Sequence, residues 1–163
     1  MYEKNAVFDK DKIYRYSLIR KWNNNGIKIV WIMLNPSTAD ENIDDPTIRR
    51  CIGFSKIWGA GEMEIVNLFA YRSTSPKKLY TYTDPIGKDN DLFILNSVKK
   101  ANKIIIAWGT HGSLDKRSEY IMFNLLKSYH KKIFFLKKLK DGEPGHPLYI
   151  KYTQELNYYE NGL

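Results

Sequence analysis

Four short, nearly continuous apolar runs dominate the hydrophobic pattern of this chain. They lie at residues 27–34, 62–69, 103–108 and 132–136, and they are rich in β-branched and aromatic side chains. Runs of this length and composition are typical of strands that are buried on both faces of a parallel sheet. We therefore predict four central strands.

In the segments between these runs, apolar residues recur at the spacing of a helix. Asp45 followed by Pro46 predicts the start of a helix that ends at the glycine-rich residues 59–61. A second helix is predicted over residues 89–101, and a third from Ser113 or Asp115 to about residue 130. The side chains expected to face inward are Ile48, Cys51, Ile52 and Ser55 in the first helix, Leu92, Leu95 and Val98 in the second, and Met122, Leu125, Leu126 and Tyr129 in the third.

The N-terminal part predicts one further strand. Residues 13–22 alternate aromatic or apolar side chains with basic ones and end in the turn signal of residues 23–26. This indicates an antiparallel edge strand that leads into the first central strand. Because strands alternating with helices imply βαβ crossovers, we predict an α/β fold in one domain over residues 1–163. It has three α/β/α layers, a short, mainly parallel four-stranded core sheet and the antiparallel N-terminal edge strand.

Length and composition narrow the class of protein. A chain of 163 residues with 43% hydrophobic residues can build one domain around one core. The single cysteine, Cys51, excludes an intramolecular disulfide and a cysteine-based zinc site, and it fits a reducing cytoplasm. Residues 1–12 carry no signal-peptide pattern, and no apolar run approaches the ~20 residues of a membrane helix. We expect a cytoplasmic protein with no membrane partner.

The charge balance favours an anionic partner. Lysine and arginine number 26 against 18 acidic residues, which gives a formal net charge of +8. Such a balance favours nucleic acid or a nucleotide as partner. The lysines occur in scattered pairs such as Lys77-Lys78 and Lys99-Lys100 rather than in one block, so a solvated lysine-rich surface explains the charge almost as well.

Four polar motifs follow, or lie near, the ends of apolar runs. They are Leu-Asn-Pro-Ser-Thr-Ala-Asp at residues 34–40, Asn-Leu-Phe-Ala-Tyr-Arg at 67–72, Ala-Trp-Gly-Thr-His-Gly at 107–112 and Gly-His-Pro-Leu-Tyr at 145–149. In an open α/β sheet, ligands bind beyond the carboxyl ends of the strands. We therefore expect the four motifs to form one site.

Asn35 is the first candidate for a role in chemistry. Pro36 keeps the preceding residue extended, so the Asn35 amide has a fixed direction from which it can orient a water molecule or a ligand. Pro36 and Ser37 are then candidate substrate-binding residues. The alternative is an Asx-type turn that only closes the strand.

An acidic cluster follows this motif. Asp40, Glu41, Asp44 and Asp45 can serve a metal site or a general base, or they can complement the dipole of the next helix. We prefer helix capping for Asp44 and Asp45. Asp40 and Glu41 stay open, and Asp40 is retained as a catalytic candidate.

Asn67 is a polar amide inside an apolar strand, where it costs free energy unless it is hydrogen-bonded. Its amide offers a donor and an acceptor, which suits the edge of a nucleobase, although bracing a neighbouring loop is the alternative. Arg72 can meet a phosphate, a carboxylate or one of the acidic residues above. Trp108 offers a wall for stacking.

Two of the three histidines are site candidates. His111 and His146 lie near predicted strand ends, whereas His130 is explained by the end of a helix. Gly145 and Pro147 restrict the backbone around His146, and a histidine held in this way can stabilise an oxyanion or a departing base. The spacing of the histidines carries no metal-ligand signature. We predict no metal and no cofactor.

The ordered motifs resemble a known family. LNPSTADE, DDPTIRRC, NLFAYRSTSP, DPIGKDND, AWGTHG and GHPLY follow one another as in the DUF1643 family of bacterial and phage proteins, a domain of unknown function. The resemblance covers roughly residues 14–149. More distantly, the layout resembles the uracil-DNA glycosylase superfamily, which has a three-layer α/β/α fold with a short parallel sheet.

The distant resemblance implies a chemistry. Asn35 would match the residue that positions the attacking water, Asn67 the amide that reads the base, and His146 the histidine that stabilises the departing base. The implied function is hydrolysis of an N-glycosidic bond in DNA, after base flipping, or in a nucleotide.

Two other functions stay open. The first is a non-catalytic module that binds a nucleic acid or a nucleotide, which the presence of Leu148 in place of a serine after His146-Pro147 favours. The second is a different hydrolase that uses Asp40, Glu41 and His111.

Overall fold

A seven-stranded mixed sheet forms the centre of the protein in the computed structural model, which describes residues 2–160. The strands are β1 (Glu3–Phe8), β2 (Arg15–Lys21), β3 (Ile27–Met33), β4 (Ala60–Asn67), β5 (Lys103–Ile106), β6 (Ile133–Phe135) and β7 (Asn157–Tyr158). Their order across the sheet is β1-β2-β4-β3-β5-β6-β7. Neighbours from β4 to β6 pair in parallel, and the outer pairs are antiparallel. The predicted α/β class is confirmed, and the sheet is larger and more mixed than predicted.

Three α-helices connect these strands: α1 (Pro46–Ile57), α2 (Asn90–Lys100) and the short α3 (Arg117–Tyr120). Short 3-10 helical segments lie at Pro76–Tyr80, Lys127–Lys132 and Pro147–Tyr149, and a π-helical turn lies at Ile121–Leu125. The segment Thr110–Lys116 joins two short 3-10 helical pieces across a kink. The predicted cap of α1 is confirmed, because the Asp45 carboxylate accepts a hydrogen bond of 2.9 Å from the backbone N–H of Ile48.

The central strands are buried on both faces, as their continuous apolarity predicts. In β3, Val30 and Ile32 belong to one apolar cluster, whereas Ile29, Trp31 and Met33 belong to another. Neighbouring side chains on a strand point to opposite faces, so the sheet has a core on each side. Helix α1 contributes to the cluster of Trp31, and α2 contributes to the cluster of Val30.

The N-terminal strands differ from the prediction. β2 does not pair with β3, because β4 lies between them, and β2 is not at the edge, because β1 covers its other side. The turn after β2 instead contacts the start of β4, where the carbonyl of Gly61 accepts from the N–H groups of Trp22 and Asn23 at 2.8 and 3.1 Å. A Cβ on Gly26 would lie 2.1 Å from the Gly61 nitrogen, so two glycines permit this close approach.

Two helical predictions also need correction. Leu92 does not face inward, since its side chain is 58% exposed; Asn90, Ile94, Ser97 and Val98 form the buried face of α2. The predicted continuous third helix is broken near its start. Leu114 is extended and Asp115 and Lys116 have φ values of 50° and 56°, so the helical hydrogen-bond ladder cannot run through them.

Cys51 is fully buried in α1, and this burial raises the pKa of its thiol well above the ordinary value.

Within residues 2–160, no helix combines the length and the apolar character that crossing a membrane requires.

Candidate functional site

A cavity of about 590 Å³ lies at the carboxyl ends of the four parallel strands. The chain crosses from β3 to β4 on one side and returns to β5 on the other, so the strand order reverses between β3 and β5. Such a reversal opens a crevice that ligands occupy in α/β proteins. The cavity takes residues from each of the four polar motifs: Leu34, Asn35 and Ser37; Asn67; Trp108, Gly109, Thr110 and His111; and Gly145, His146 and Tyr149.

Asn67, at the end of β4, has the most unusual environment of these residues. Its side chain is 1% exposed and lines the cavity. Neither Nδ2 nor Oδ1 has a hydrogen-bond partner in the described part of the chain. An unpartnered buried amide costs about 1–3 kcal/mol, so its partner is expected to be something that occupies the cavity.

The backbone around Asn67 is held from the opposite side. The side chain of Asn90, at the start of α2, donates from Nδ2 to the carbonyls of Asn67 and Leu68 at 2.9 and 3.0 Å. Arg117 donates from Nε to the Leu68 carbonyl at 2.9 Å. These contacts fix the backbone at the end of β4 and do not involve the Asn67 side chain.

His146 lines the cavity, and a backbone contact defines the tautomer of its ring. Its Nδ1 accepts from the N–H of Leu148 at 3.3 Å, so the neutral ring carries its proton on Nε2. Burial lowers the pKa of His146, and the Asp45 carboxylate partly opposes that shift. The ring is therefore a neutral N–H donor at physiological pH.

The lowered pKa of His146 predicts a pH dependence of stability. Unfolded histidine titrates near about 6.5, so below that pH the unfolded state binds more protons than the folded state. Stability is present above pH 6.5 and is lost as the pH falls below it. We expect urea unfolding between pH 7 and pH 5 to show a shallower decline in His146→Gln than in the natural protein. His130→Gln, which changes an exposed ring, should leave the slope intact; an unchanged slope in His146→Gln would contradict the assignment.

Asn35 closes its loop and also lines the cavity. Its Nδ2 donates to the carbonyls of Pro36 and Ser73 at 3.1 and 3.0 Å, with a longer contact of 3.4 Å to that of Tyr71. The Asx-type structural role and the site role therefore coexist in one side chain. Its Oδ1 accepts no hydrogen bond from the described residues. Ser37 lines the cavity, and Pro36 contributes its carbonyl to this loop.

Trp108 and His111 form a wall of the cavity. The indole Nε1 of Trp108 donates to Glu143 Oε2 at 2.5 Å, and Glu143 also accepts from Ser118 Oγ at 3.0 Å. His111 Nδ1 lies 2.9 Å from the hydroxyl of Tyr80, which belongs to the long loop after β4. That loop is ordered by its own contacts, including the stacked rings of Tyr71 and Tyr82 with centroids 3.8 Å apart.

Four expected site residues, Pro36, Asp40, Glu41 and Arg72, lie outside the cavity lining. Asp40 Oδ1 accepts from the N–H groups of Asn42 and Ile43, both at 2.8 Å, and these bonds lower the pKa of the Asp40 carboxyl. Arg72 donates to the carbonyl of Lys12 at 3.0 Å. Glu41 pairs with Lys12 at 3.8 Å. The structure therefore gives Asp40 and Arg72 structural partners and does not join Asp40 and Glu41 with His111.

The cavity also contains residues that the sequence did not single out. Arg15, the first residue of β2, is buried and lines it, as do Lys137 and the 92% exposed Tyr149 at its mouth. Asp45 caps α1 and lines the cavity as well, so capping was only part of its role. Arg15 carried no sequence signal, because basic residues alternate with apolar ones in residues 13–22 and such a pattern predicts that the arginine faces solvent.

The fold and the cavity define the chain as an α/β protein with a cavity at the carboxyl ends of its parallel strands. A family model described as "Protein of unknown function (DUF1643)" matches residues 15–148, and the chain belongs to this family. A comparison with the curated proteins and with the solved structures found no match.

Proposed function

We propose that this chain binds a nucleobase in the cavity and hydrolyses the N-glycosidic bond that joins the base to its sugar, in DNA or in a nucleotide. The observation that carries this proposal is the unpartnered, buried amide of Asn67 at the cavity. Nucleobases present adjacent donors and acceptors, and a side-chain amide pairs with such an edge through both of its polar atoms.

The proposed chemistry places a donor where charge develops. As the C1′–N bond breaks, both of its electrons go to the base, and negative charge gathers on the base oxygen. The Nε2–H of His146 would donate to that oxygen, and a neutral donor in a water-poor site stabilises such charge well. Water adds its hydroxyl group to C1′.

The water needs an orienting group and a base. Asn35 would orient it through Oδ1, and what supports this is that Nδ2 is already held by backbone carbonyls. Among the described lining residues, Asp45 alone carries a carboxylate. We assign the proton of the attacking water to Asp45, in place of Asp40.

The proposal includes a distant relation to the uracil-DNA glycosylase superfamily. It also includes a three-layer α/β/α arrangement around a four-stranded parallel core. What supports the arrangement is that α1 and α2 join different apolar clusters of the sheet. A nucleic-acid partner is supported by the net charge of +8.

The experiment is an assay for released base. Oligonucleotides that carry uracil, hypoxanthine or a hypermodified pyrimidine, and the matching free nucleotides, are incubated with the protein and analysed for abasic sites and free base. We expect release in the natural protein and a loss of about 100-fold in His146→Ala, as for the removal of one oxyanion donor. Asn35→Ala should also lose activity.

His130→Ala is the matched control, because His130 is exposed and does not line the cavity. It should release base at the natural rate. Full activity in His146→Ala would remove that residue from the mechanism. Tight binding of an oligonucleotide or nucleotide without release would favour the second candidate, a binding module, which the structural use of the Asn35 amide also favours.

A further inference from the structure

A second unpartnered buried group belongs to Arg15, which also lines the cavity. Arg15 is 2% exposed, and its Nη1 donates to the carbonyl of Ala39 at 2.8 Å. Its Nε has no hydrogen-bond partner among the described residues. No carboxylate of those residues lies within 4.0 Å of its guanidinium nitrogens. A buried cation without a counter-ion is strongly unfavourable, so it calls for an anion.

Arg20, on the same strand, shows what a purely structural arginine looks like in this fold. It is fully buried, and its Nε donates to Asp44 at 2.8 Å. Its other nitrogens donate to backbone carbonyls, among them those of Ile19 at 2.8 Å and Asp40 at 2.6 Å. Arg20 therefore has a counter-ion and a full set of acceptors, whereas Arg15 has neither.

The guanidinium of Arg15 carries its positive charge at neutral pH. Burial lowers its pKa to about 10, against which the Asp45 carboxylate acts, and this value still leaves it protonated at neutral pH. Asp45 is not within ion-pair distance of Arg15 in the described structure, and its Oδ1 accepts from the Ile48 N–H. The positive charge is thus available to a ligand.

The size of the cavity fits a ligand larger than a base alone. At about 590 Å³ it falls in the range of pockets that enclose drug-sized ligands. Asn67 and Arg15 line the same cavity, one with a neutral amide and the other with a cation. A ligand that satisfies both carries an amide-like edge and a negatively charged group.

We propose that Arg15 binds an oxyanion of the ligand, so that the cavity takes a nucleobase compound bearing a carboxylate or a phosphate rather than a neutral base. This inference rests on the proposed function for the nature of the base, and it adds the substrate class. Arg15 Nε–H would donate to one oxygen of the oxyanion, with the remaining guanidinium hydrogens directed to the same group. Charge-assisted bonds of this kind are the stronger ones in proteins.

Two matched pairs of probes test it by calorimetry. Orotate differs from uracil by a carboxylate on the base, and uridine 5′-monophosphate differs from uridine by a phosphate on the sugar. In the natural protein, the anionic member of at least one pair should bind tenfold or more tightly, and the pair that shows the preference identifies the oxyanion. In Arg15→Gln that preference should vanish.

Lys138→Gln is the matched control, because Lys138 is exposed and does not line the cavity, so the change removes one positive charge near the site and no contact within it. The preference for the anionic probe should persist in this variant. Equal binding within both pairs in the natural protein would overturn the inference, and so would a preference that survives Arg15→Gln. A preference lost equally in Lys138→Gln would mean that the anion responds only to the overall charge, which would overturn the inference as well.

A direct readout covers the case in which Arg15→Gln does not fold. In the natural protein, the Nε–H resonance of Arg15 should move when orotate or uridine 5′-monophosphate is added, and it should stay in place with uracil or uridine. A resonance that never moves overturns the inference. The proposed hydrolysis is judged separately, since release of a neutral base from an oligonucleotide does not depend on this preference.

Discussion

Asn67→Leu is expected to abolish base release while making the folded protein more stable. Leucine has nearly the shape of asparagine, but it removes two polar atoms that have no partner in the described structure. Relieving such a group should raise the free energy of unfolding by about 1–2 kcal/mol. A site built to hydrogen-bond a ligand loses about 10⁴-fold in activity when that bond cannot form.

Urea unfolding and the base-release assay measure the two effects on the same preparation. Asn90→Leu is the matched control, because Asn90 is an equally buried asparagine whose Nδ2 holds the carbonyls of Asn67 and Leu68. It should lower the free energy of unfolding by about 1–3 kcal/mol. If Asn67→Leu were destabilising to a similar degree, Asn67 would be a structural residue and the central observation for the proposed function would fail.

One of these two asparagines could be identified from the sequence and the other could not, because their sequence surroundings differ. Asn67 interrupts an apolar strand, and a polar side chain in that position is noticeable because its burial costs free energy unless it is hydrogen-bonded. Asn90 begins an amphipathic helix, where a polar residue is ordinary. Its burial follows from the rotation of α2, which also turns Leu92 outward. Single-sequence periodicity does not define a helix face to within one residue.

The central strands were predictable because burial on both faces leaves a continuous apolar run. Strands β1 and β7 lie at the edges of the sheet, and most of their residues are exposed or half-buried. Their sequences therefore carry little apolar signal. The position of β4 between β2 and β3 depends on contacts between segments far apart in the chain, which a turn signal at residues 23–26 does not encode.

The meeting of the four polar motifs at one cavity was predictable for a related reason. Residues that follow parallel strands meet at one edge of the sheet, and Asn35, Asn67, Trp108, His111 and His146 all line one cavity. Pro36, Asp40 and Arg72 belong to the same motifs but do not line the cavity. Motif membership places a residue near the edge, whereas the local turn decides the direction of its side chain. Arg15 lies on β2, which pairs antiparallel with both neighbours, so the rule for residues that follow parallel strands does not apply to it.

Gly112→Ala is expected to be the most damaging single-methyl substitution near the cavity. A Cβ at position 112 would lie 2.1 Å from Cδ1 and 2.6 Å from Nε1 of Trp108. The backbone of Gly112 is not left-handed, so alanine itself brings no conformational penalty. Displacing the indole breaks its bond to Glu143. Overpacking together with the lost bond should cost about 3 kcal/mol, which corresponds to a Tm about 6–12 °C lower.

Thermal unfolding and tryptophan fluorescence measure this effect, and Gly142→Ala is the comparison. Gly142 has a φ of +89° with open space around it, so alanine there meets only the left-handed backbone penalty of about 1–2 kcal/mol. It should leave the emission of Trp108 unchanged, whereas Gly112→Ala should shift it.

A double-variant cycle with Trp108→Leu separates the clash at Gly112 from any other effect of the methyl group. Leucine in place of the indole removes the atoms that the new Cβ would strike. The double variant should therefore lose less stability than the two single variants combined, by more than about 1 kcal/mol. Additive losses would mean that the indole already moves aside freely, and Trp108 would then not be a rigid wall of the cavity. Coupled losses would make Gly112 the residue that allows Trp108 to face the ligand.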